Sequence, residues 1–240
     1  MQVVRPFLIA LQFLTILPVR LKEPIKNEDV GRSLLYYPVV GLIIGFLLSV
    51  FTWWAVALPH TLQAALLLLL WVALTGALHL DGLADSADAW IGGLGDRDKT
   101  LAIMKDPYCG PTAVVTLILL LLIKFVTLEQ ILIAGEWRSL LLAPVLARTA
   151  MPLLFLTTAY VRTCGLGTQM SLHQPHHISV IMILLTFAAV PLVAGIMGWW
   201  MLFTVMGLFF LLRALMVRRT GGITGDTAGA MVELIEVGVL

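Results

Sequence analysis

Seven long apolar segments decide what this chain can fold into. They cover residues 3–19, 36–58, 61–78, 111–128, 137–160, 178–197 and 199–216. An α-helix needs about 20 apolar residues to cross a bilayer, which is close to the length of each segment. Because 60% of the residues are hydrophobic and only 12% are charged, the chain has too little polar surface for a water-soluble globule. We therefore expect one all-α integral membrane domain over residues 1–240, a polytopic bundle of about seven spanning helices plus a short C-terminal helix.

Three features of the segments bear on how the helices pack. Gly41 and Gly45 form a GxxxG pair, which predicts the close approach of another helix. Gln12 and Pro18 make the first segment less hydrophobic, so it either packs inside the bundle or enters only part of the bilayer. Lys124 lies near the far end of the fourth segment, where we expect its ammonium group to reach the interface.

Positive charge is concentrated in alternate loops. Eleven of the fifteen lysines and arginines lie on one side of the predicted layout, and only Arg5 and Arg138 lie in loops on the other. Loops rich in lysine and arginine usually stay in the cytoplasm. We expect a multi-pass protein of the cell inner (cytoplasmic) membrane. Its active site should face the cytosol, because the acidic residues described next share the positive side.

An acidic cluster follows the third apolar segment, in the sequence HLDGLADSADAW over residues 79–90. Asp81, Asp85 and Asp88 have the spacing i, i+4 and i+7, which places the second and third within about 40° of the first on one helix face. Three like charges on one face repel each other unless a cation lies between them. Mg²⁺ prefers such oxygen ligands, so the spacing predicts a magnesium site.

Further polar groups follow the cluster in a glycine-containing loop. Arg97 and Lys105 can supply positive charge to phosphate oxygens, and Asp106 is a further carboxylate. Carboxylates that hold a metal, together with nearby cations, are what phosphoryl transfer needs. Asp106 could instead simply end a helix before Pro107. His79 could act as a base or be only a hydrogen-bonded polar group at the interface.

A second polar stretch, GGITGD over residues 221–226, precedes the C-terminal helix. Its turn could bind a phosphate at the helix N-terminus, although Asp226 could equally be a plain helix cap. Arg148, in the middle of an apolar segment, requires a desolvated carboxylate or phosphate partner. Glu233 is the better companion of Asp226 by helical geometry, because Glu236 lies off that face.

Several of these stretches together resemble the cobalamin synthase (adenosylcobinamide-GDP ribazoletransferase) family. They are FLTILPV, HLDGLADSADAW, LAIMKDPYCGP, LARTAMPLL, the GLG after Arg162 and RRTGGITGD, and the resemblance runs from about Phe7 to the C-terminus. It implies an inner-membrane enzyme that requires Mg²⁺. In the implied reaction, α-ribazole or α-ribazole 5′-phosphate attacks the phosphate attached to cobinamide in adenosylcobinamide-GDP, and GMP leaves.

The resemblance and the residue patterns described above together assign roles to residues of this chain, with His79, Arg97 and Arg148 resting on the residue patterns alone. The late glutamate of the family pattern falls on Glu236 and not on Glu233, so the two indications disagree. The implied metal ligands are Asp81, Asp85 and Asp88. The candidate catalytic residues are Asp85, Asp106, Lys105 and His79, with Asp106 or His79 accepting the proton of the ribazole hydroxyl. The candidate substrate-binding residues are Arg97, Arg148, Gly221, Gly222, Thr224 and Asp226.

Two other functions fit parts of the pattern. A CDP-alcohol phosphotransferase of lipid synthesis also uses aspartates on membrane helices, but Asp85 here occupies a place where that pattern has alanine and arginine. A cation carrier would be expected to show an inverted repeat or broken helices at mid-membrane, and the sequence shows neither. The expected partners are the two substrates and the lipid bilayer. No nucleic-acid partner is expected, and the sequence leaves a homo-oligomer open.

Overall fold

The computed structural model describes residues 4–19, 21 and 24–240, and within these ranges it contains helices and no β-strand. The prediction of an all-α bundle is confirmed. Val3, Arg20 and Lys22, which entered the sequence predictions, lie outside the described residues. The helices are α1 (Val4–Leu14), α2 (Asn27–Ser33), a 3₁₀ turn (Leu34–Tyr36), α3 (Tyr37–Trp54), α4 (His60–Thr75), α5 (Leu78–Gly92), α6 (Arg97–Ile103), α7 (Pro111–Ala134), α8 (Trp137–Thr157), α9 (Leu166–His173), α10 (His176–Ala194), α11 (Ile196–Thr220) and α12 (Gly225–Val239).

Five helical stretches within the described ranges are long and apolar enough to cross a membrane. They are the continuous stretch from α2 to α3, and α7, α8, α10 and α11. The pair α4 and α5 makes a sixth if it is counted as one broken span, because the two helices meet at an angle of 88°. This is fewer than the seven predicted. The difference arises because α1 has only 11 residues, and because the segment 61–78 turns into α5 without completing a crossing of its own.

The bend between α4 and α5 depends on two consecutive residues with left-handed backbone. Gly76 has φ of 59° and Ala77 has φ of 56°. Glycine adopts this conformation freely, whereas in alanine it costs about 1 kcal/mol or more. The turn ends α4 and redirects the chain, so that the acidic helix α5 leaves the direction of the apolar segment before it.

Helix α8 lies at the centre of the bundle, and α3 packs along it through the GxxxG pair. A Cβ built on Gly41 would come within 2.5 Å of the carbonyl oxygen of Pro144, and one on Gly45 would overlap the backbone of Leu141. The predicted close approach is therefore confirmed. Small residues at such crossings allow the dispersion contacts that hold membrane helices together.

A buried network of charged side chains attaches α12 to its neighbours. The ammonium group of Lys124 in α7 lies 3.0 Å from a carboxylate oxygen of Glu233 and 2.5 Å from one of Glu236. Glu236 also pairs with Arg148 of α8 and accepts a hydrogen bond of 3.3 Å from the indole nitrogen of Trp71 in α4. Two cations thus face two carboxylates, and each buried charge has a partner of opposite sign.

Three sequence expectations can be compared with this network. The expectation that Lys124 reaches the interface is wrong, because only 2% of its side chain is exposed. Lysine can remain in the interior here because α12 brings carboxylates to it. The predicted desolvated carboxylate partner of Arg148 is confirmed and is Glu236. Glu233 and Glu236, the two candidates for a companion of Asp226, both pair with Lys124 in this network, and neither is among the described residues that line a cavity with Asp226.

Candidate active site

A cavity of about 300 Å³ lies where α5, α8 and α12 meet the chain between α8 and α9. One part of its wall is polar and includes His79, Asp81, Tyr160, Arg162 and Asp226. The other part is apolar and includes Phe13, Met151, Phe155 and Met170. Such a combination of apolar wall and few polar groups is typical of a site for a small organic ligand.

The acidic side of the cavity forms because α5 and α12 approach closely at glycines. Gly82 follows Asp81 directly and lies against the backbone of Asp226, and Gly229 of α12 lies against the backbone of His79. A side chain at Gly82 would push the helices apart, since its Cβ would come within 2.7 Å of the carbonyl oxygen of Asp226. The glycine of the DGLAD sequence therefore brings Asp81 of α5 and Asp226 of α12 to one cavity.

Asp226 is held by its neighbours in the first turn of α12. Its carboxylate accepts a hydrogen bond of 2.5 Å from Arg162, and the Thr224 hydroxyl lies 3.5 Å away. Burial raises the pKa of Asp226 above its usual value, Arg162 opposes that rise, and the negative charge of Asp81 adds to it. The Nε of Arg162 is buried without a hydrogen-bond partner in the described part of the chain. This leaves a donor that a bound anion can use.

The three aspartates of α5 do not all face the same surroundings. Asp81 lines the cavity, and Asp85, one turn further along, lies within electrostatic reach of Asp81, Asp226 and Arg162. Asp88 instead accepts hydrogen bonds from two backbone N–H groups at the start of α7, 2.5 Å from Gly110 and 2.9 Å from Ala113. Seven residues of α-helix rise by about 10 Å, so Asp81 and Asp88 share a face but are far apart along the axis.

Asp81 and Asp85 remain suited to Mg²⁺. Over the residues described, no three carboxylate, histidine or cysteine side chains form a ready-made metal site. Mg²⁺ usually keeps several water ligands and binds one or two carboxylates together with substrate phosphates. Two carboxylates one helical turn apart beside a cavity fit that mode of binding, in which the substrate completes the set of ligands. The assignment of Asp81, Asp85 and Asp88 as metal ligands stays a prediction.

His79 connects the cavity wall with the buried network. Its side chain is buried, and its Nδ1 lies 3.4 Å from a guanidinium nitrogen of Arg148. Arginine only donates hydrogen bonds, so Nδ1 is the accepting nitrogen and Nε2 carries the hydrogen. Nε2 has no partner within the described ranges. This arrangement favours His79 as a hydrogen-bond donor to a ligand over its predicted role as a base.

Other predicted catalytic residues lie outside the cavity wall. Lys105 and Asp106 are exposed in the loop between α6 and α7, where Asp106 accepts a hydrogen bond of 3.1 Å from the backbone of Tyr108. Arg97 donates to the carbonyl oxygen of Thr220 at 2.8 Å, at the end of α11. These side chains can meet only the part of a substrate that extends beyond the cavity. The catalytic roles of Lys105 and Asp106 and the substrate-binding role of Arg97 stay predictions.

The GGITGD stretch forms the connection between α11 and α12. Gly221 ends α11 with φ of 75°, and Gly222 lies against the carbonyl oxygen of Ala159. Thr224 is buried and caps α12 by accepting a hydrogen bond from the backbone of Thr227. Of this stretch, Gly225 and Asp226 line the cavity. Gly221, Gly222 and Thr224, like the buried Arg148, are not among the lining residues, so they can contribute by positioning the residues that are.

The sequence interpretation missed cavity residues in the last turn of α8 and directly after it. Arg162 entered it only as a loop charge and as the residue before the GLG of the resemblance, and Tyr160 and Phe155 were not singled out. In the structure, the rings of Phe155 and Tyr160 stack at 5.7 Å, and the Tyr160 ring packs against Gly167. The one available signal was an arginine followed by GLG at the end of an apolar segment. It does not reveal a partner 64 residues later in the chain.

Comparisons with known proteins identify the family of the chain. The family described as cobalamin-5-phosphate synthase matches residues 6–240. A relative from Pseudomonas entomophila named adenosylcobinamide-GDP ribazoletransferase is 54% identical over 98% of this chain and 96% of its own length. Relatives of the same name from Pseudomonas fluorescens and Pseudomonas putida are each 53% identical over 98% of this chain, and over 97% and 96% of their own lengths. No solved structure matches the chain.

Proposed function

The chain belongs to the cobalamin-5-phosphate synthase family, and on that premise we propose that it is a membrane-bound, Mg²⁺-dependent adenosylcobinamide-GDP ribazoletransferase. It joins α-ribazole, or its 5′-phosphate, to adenosylcobinamide-GDP and releases GMP, which leaves adenosylcobalamin or its 5′-phosphate. The observation that carries this proposal is that Asp81, Asp226, His79 and Arg162 all line the same cavity.

The bonds that change in this reaction explain the need for both signs of charge. A hydroxyl oxygen on the ribose ring of ribazole forms a bond to the phosphorus attached to cobinamide, and the bond from that phosphorus to the GMP oxygen breaks. The 5′-oxygen takes no part, because in the 5′-phosphate substrate it carries a phosphate that stays in the product. The hydroxyl proton leaves the nucleophile, and negative charge develops on GMP. A site for this chemistry must accept a proton on one side and stabilise anionic oxygens on the other.

The residues of the cavity can fill these roles. Asp81 and Asp226 are carboxylates on the cavity wall, positioned to accept the hydroxyl proton. Arg162 is held by Asp226 through one guanidinium nitrogen, and its buried Nε, which has no partner among the described residues, can donate to a phosphate oxygen. Asp85 and Asp81 would hold Mg²⁺, which when bound would offset charge on the diphosphate.

We place this site on the cytosolic side of the cell inner membrane. The loops around it carry most of the lysines and arginines, and by length and composition five helical stretches can cross a membrane. Both substrates carry large polar groups, which reach a cytosol-facing cavity without entering the hydrocarbon region. Reaction of accessible Cys164, at the edge of the cavity, with a membrane-impermeant thiol reagent in inverted vesicles tests this orientation.

The direct test is turnover by the purified protein in detergent. We expect GMP release that requires adenosylcobinamide-GDP, α-ribazole and Mg²⁺ together, that stops when EDTA is added and resumes with excess Mg²⁺. CDP-diacylglycerol with an alcohol acceptor is the matched control and should give no CMP. CMP release, or cation uptake into proteoliposomes without GMP release, would contradict the proposal in favour of the two alternatives.

A further inference from the structure

We propose that the cavity is the subsite for α-ribazole, with the aromatic base against the apolar wall, and that Met151 and Phe155 determine which base is accepted. This inference rests on the proposed function and adds to it, because it assigns one of the two substrates to the cavity. The corrinoid substrate then lies outside, across the opening.

The size of the cavity indicates which of the two substrates it can enclose. Its volume of about 300 Å³ is at the lower end of the range of small-molecule sites. A riboside of a two-ring base has the size that such a cavity holds. A corrin ring with its amide side chains and an attached GDP is several times larger. Only the smaller substrate can therefore be enclosed between α5, α8 and α12.

The chemistry of the wall indicates which base binds there, the benzimidazole of α-ribazole or the guanine of the GDP group. Met151 and Phe155 are buried in α8 and line the cavity, and the Phe155 ring stacks on Tyr160 with an interplanar angle of 15°. A flat, methylated benzimidazole gains dispersion and sulfur–aromatic contacts on such a wall. Guanine carries several hydrogen-bond donors and acceptors on its edges, and these would lose water without gaining partners there. The wall thus fits the base of α-ribazole and not the base of the GDP group.

The aromatic wall is also rigid. A Cβ at Gly167 would overlap the Tyr160 ring, so glycine lets the start of α9 pack directly on that ring. The phenol is thereby held between α9 and Phe155. A surface fixed on both sides loses little conformational freedom when a ligand binds, which favours recognition by shape.

The polar groups give the bound riboside a direction. The base of α-ribazole has one unsubstituted ring nitrogen, which accepts hydrogen bonds, and has no N–H donor. His79 presents a buried Nε2 hydrogen without a partner among the described residues, on the same cavity. With the base held by the apolar wall and by His79, the ribose extends toward Asp81 and Asp226. This places the reacting hydroxyl beside the carboxylates.

The test is a change of base preference. Met151→Phe adds a ring to the wall and reduces the space for the two methyl groups of dimethylbenzimidazole. We expect KM for α-ribazole to rise by about tenfold or more, since contacts of one or two methyl-sized groups have effects of that order. KM for adenosylcobinamide-GDP should stay within about twofold, because that substrate lies outside the modified wall. The variant should then prefer the α-riboside of benzimidazole, which lacks the methyl groups.

Met206→Phe is the matched control. Met206 lies in α11 beside Trp199 and Phe203, in a groove separate from the cavity. The same substitution there should leave both KM values and the base preference unchanged. Equilibrium dialysis of labelled α-ribazole against the wild-type protein, without the corrinoid substrate, adds a readout that does not need turnover and should show binding.

The outcomes separate this inference from the proposed function. Wild-type protein that releases no GMP contradicts the proposed function itself. If wild-type protein is active, a Met151→Phe effect on KM for adenosylcobinamide-GDP alone, or an unchanged base preference, overturns the subsite assignment. If Met151→Phe does not fold, Phe155→Leu tests the same wall in the opposite direction. The added space should improve use of a larger, naphthimidazole riboside relative to α-ribazole, and no improvement overturns the assignment.

Discussion

A Cβ built on Gly82 in α5 would come within 2.7 Å of the carbonyl oxygen of Asp226 in the first turn of α12. No side chain fits in this contact without moving one of the two helices. Since Asp81 is the neighbour of Gly82, the same contact sets the position of the Asp81 carboxylate relative to that of Asp226. The distance between these two carboxylates of the proposed site thus depends on the absence of a side chain at Gly82.

Gly82→Ala should therefore lower activity without removing any reacting group. The added methyl group must displace α12 from α5, and a displacement of about 1 Å at a catalytic site can reduce the rate by about 100-fold. We expect kcat/KM for GMP release to fall by about that factor. Gly207→Ala in α11 is the control, because a Cβ there meets nothing within 4 Å. Wild-type kcat/KM in folded Gly82→Ala would show that this contact does not position the site.

Asp88→Asn should mainly affect stability. Each carboxylate oxygen of Asp88 accepts a backbone N–H at the start of α7, and an amide side chain can replace only one of these acceptors. We expect the free energy of unfolding to fall by about 1 to 2 kcal/mol, the usual cost of losing a helix cap. Thermal unfolding in detergent measures this, with the exposed Asp98→Asn as the control.

The contrary result for Asp88 is equally informative. An unchanged melting temperature together with complete loss of GMP release would mean that Asp88 acts as the metal ligand predicted from the sequence. In that case its contacts with Gly110 and Ala113 would not persist in the working enzyme.

The sequence predicted the acidic helix but not the separate uses of its aspartates. The spacing of Asp81, Asp85 and Asp88 defines an angle around the helix axis, and α5 is indeed helical over this stretch. Angle alone does not give proximity, because each residue also advances about 1.5 Å along the axis. The start of α7 lies beside the last of the three carboxylates, and no local pattern within α5 shows this.

The buried network of Lys124, Arg148, Glu233 and Glu236 shows a second limit of prediction from the sequence. Lys124 resembles an interfacial lysine when only its own segment is considered, because its carboxylate partners are 109 and 112 residues further along the chain. By contrast, Arg148 lies so deep in its apolar segment that a buried partner was predictable. Depth within a segment is a local property, whereas the identity of the partner depends on how the helices pack.

Lys124→Met should destabilise the fold strongly. It leaves Glu233 and Glu236 in the interior with Arg148 as the remaining cation among the network residues. Removing one partner of a buried ion pair costs about 3 to 5 kcal/mol, because the other charge stays desolvated. We expect a clear fall in the melting temperature in detergent, and a partial recovery when Glu233→Gln is added.

The control for the network is Lys99→Met, at an exposed position in α6. That substitution should change the melting temperature little, since exposed charges contribute little to stability. A Lys124→Met protein as stable as the wild type would show that the network does not hold α12 in place.

The most direct test of the whole account is GMP release by Asp85→Asn. Asp85 lies within electrostatic reach of both carboxylates on the cavity wall, and the substitution removes its charge while hardly changing its size. We predict that transfer falls by about 100-fold or more at saturating Mg²⁺, while the melting temperature stays at the wild-type value and Asp98→Asn remains fully active. A folded Asp85→Asn protein that releases GMP at the wild-type rate would contradict the claim that the α5 carboxylates carry phosphoryl transfer.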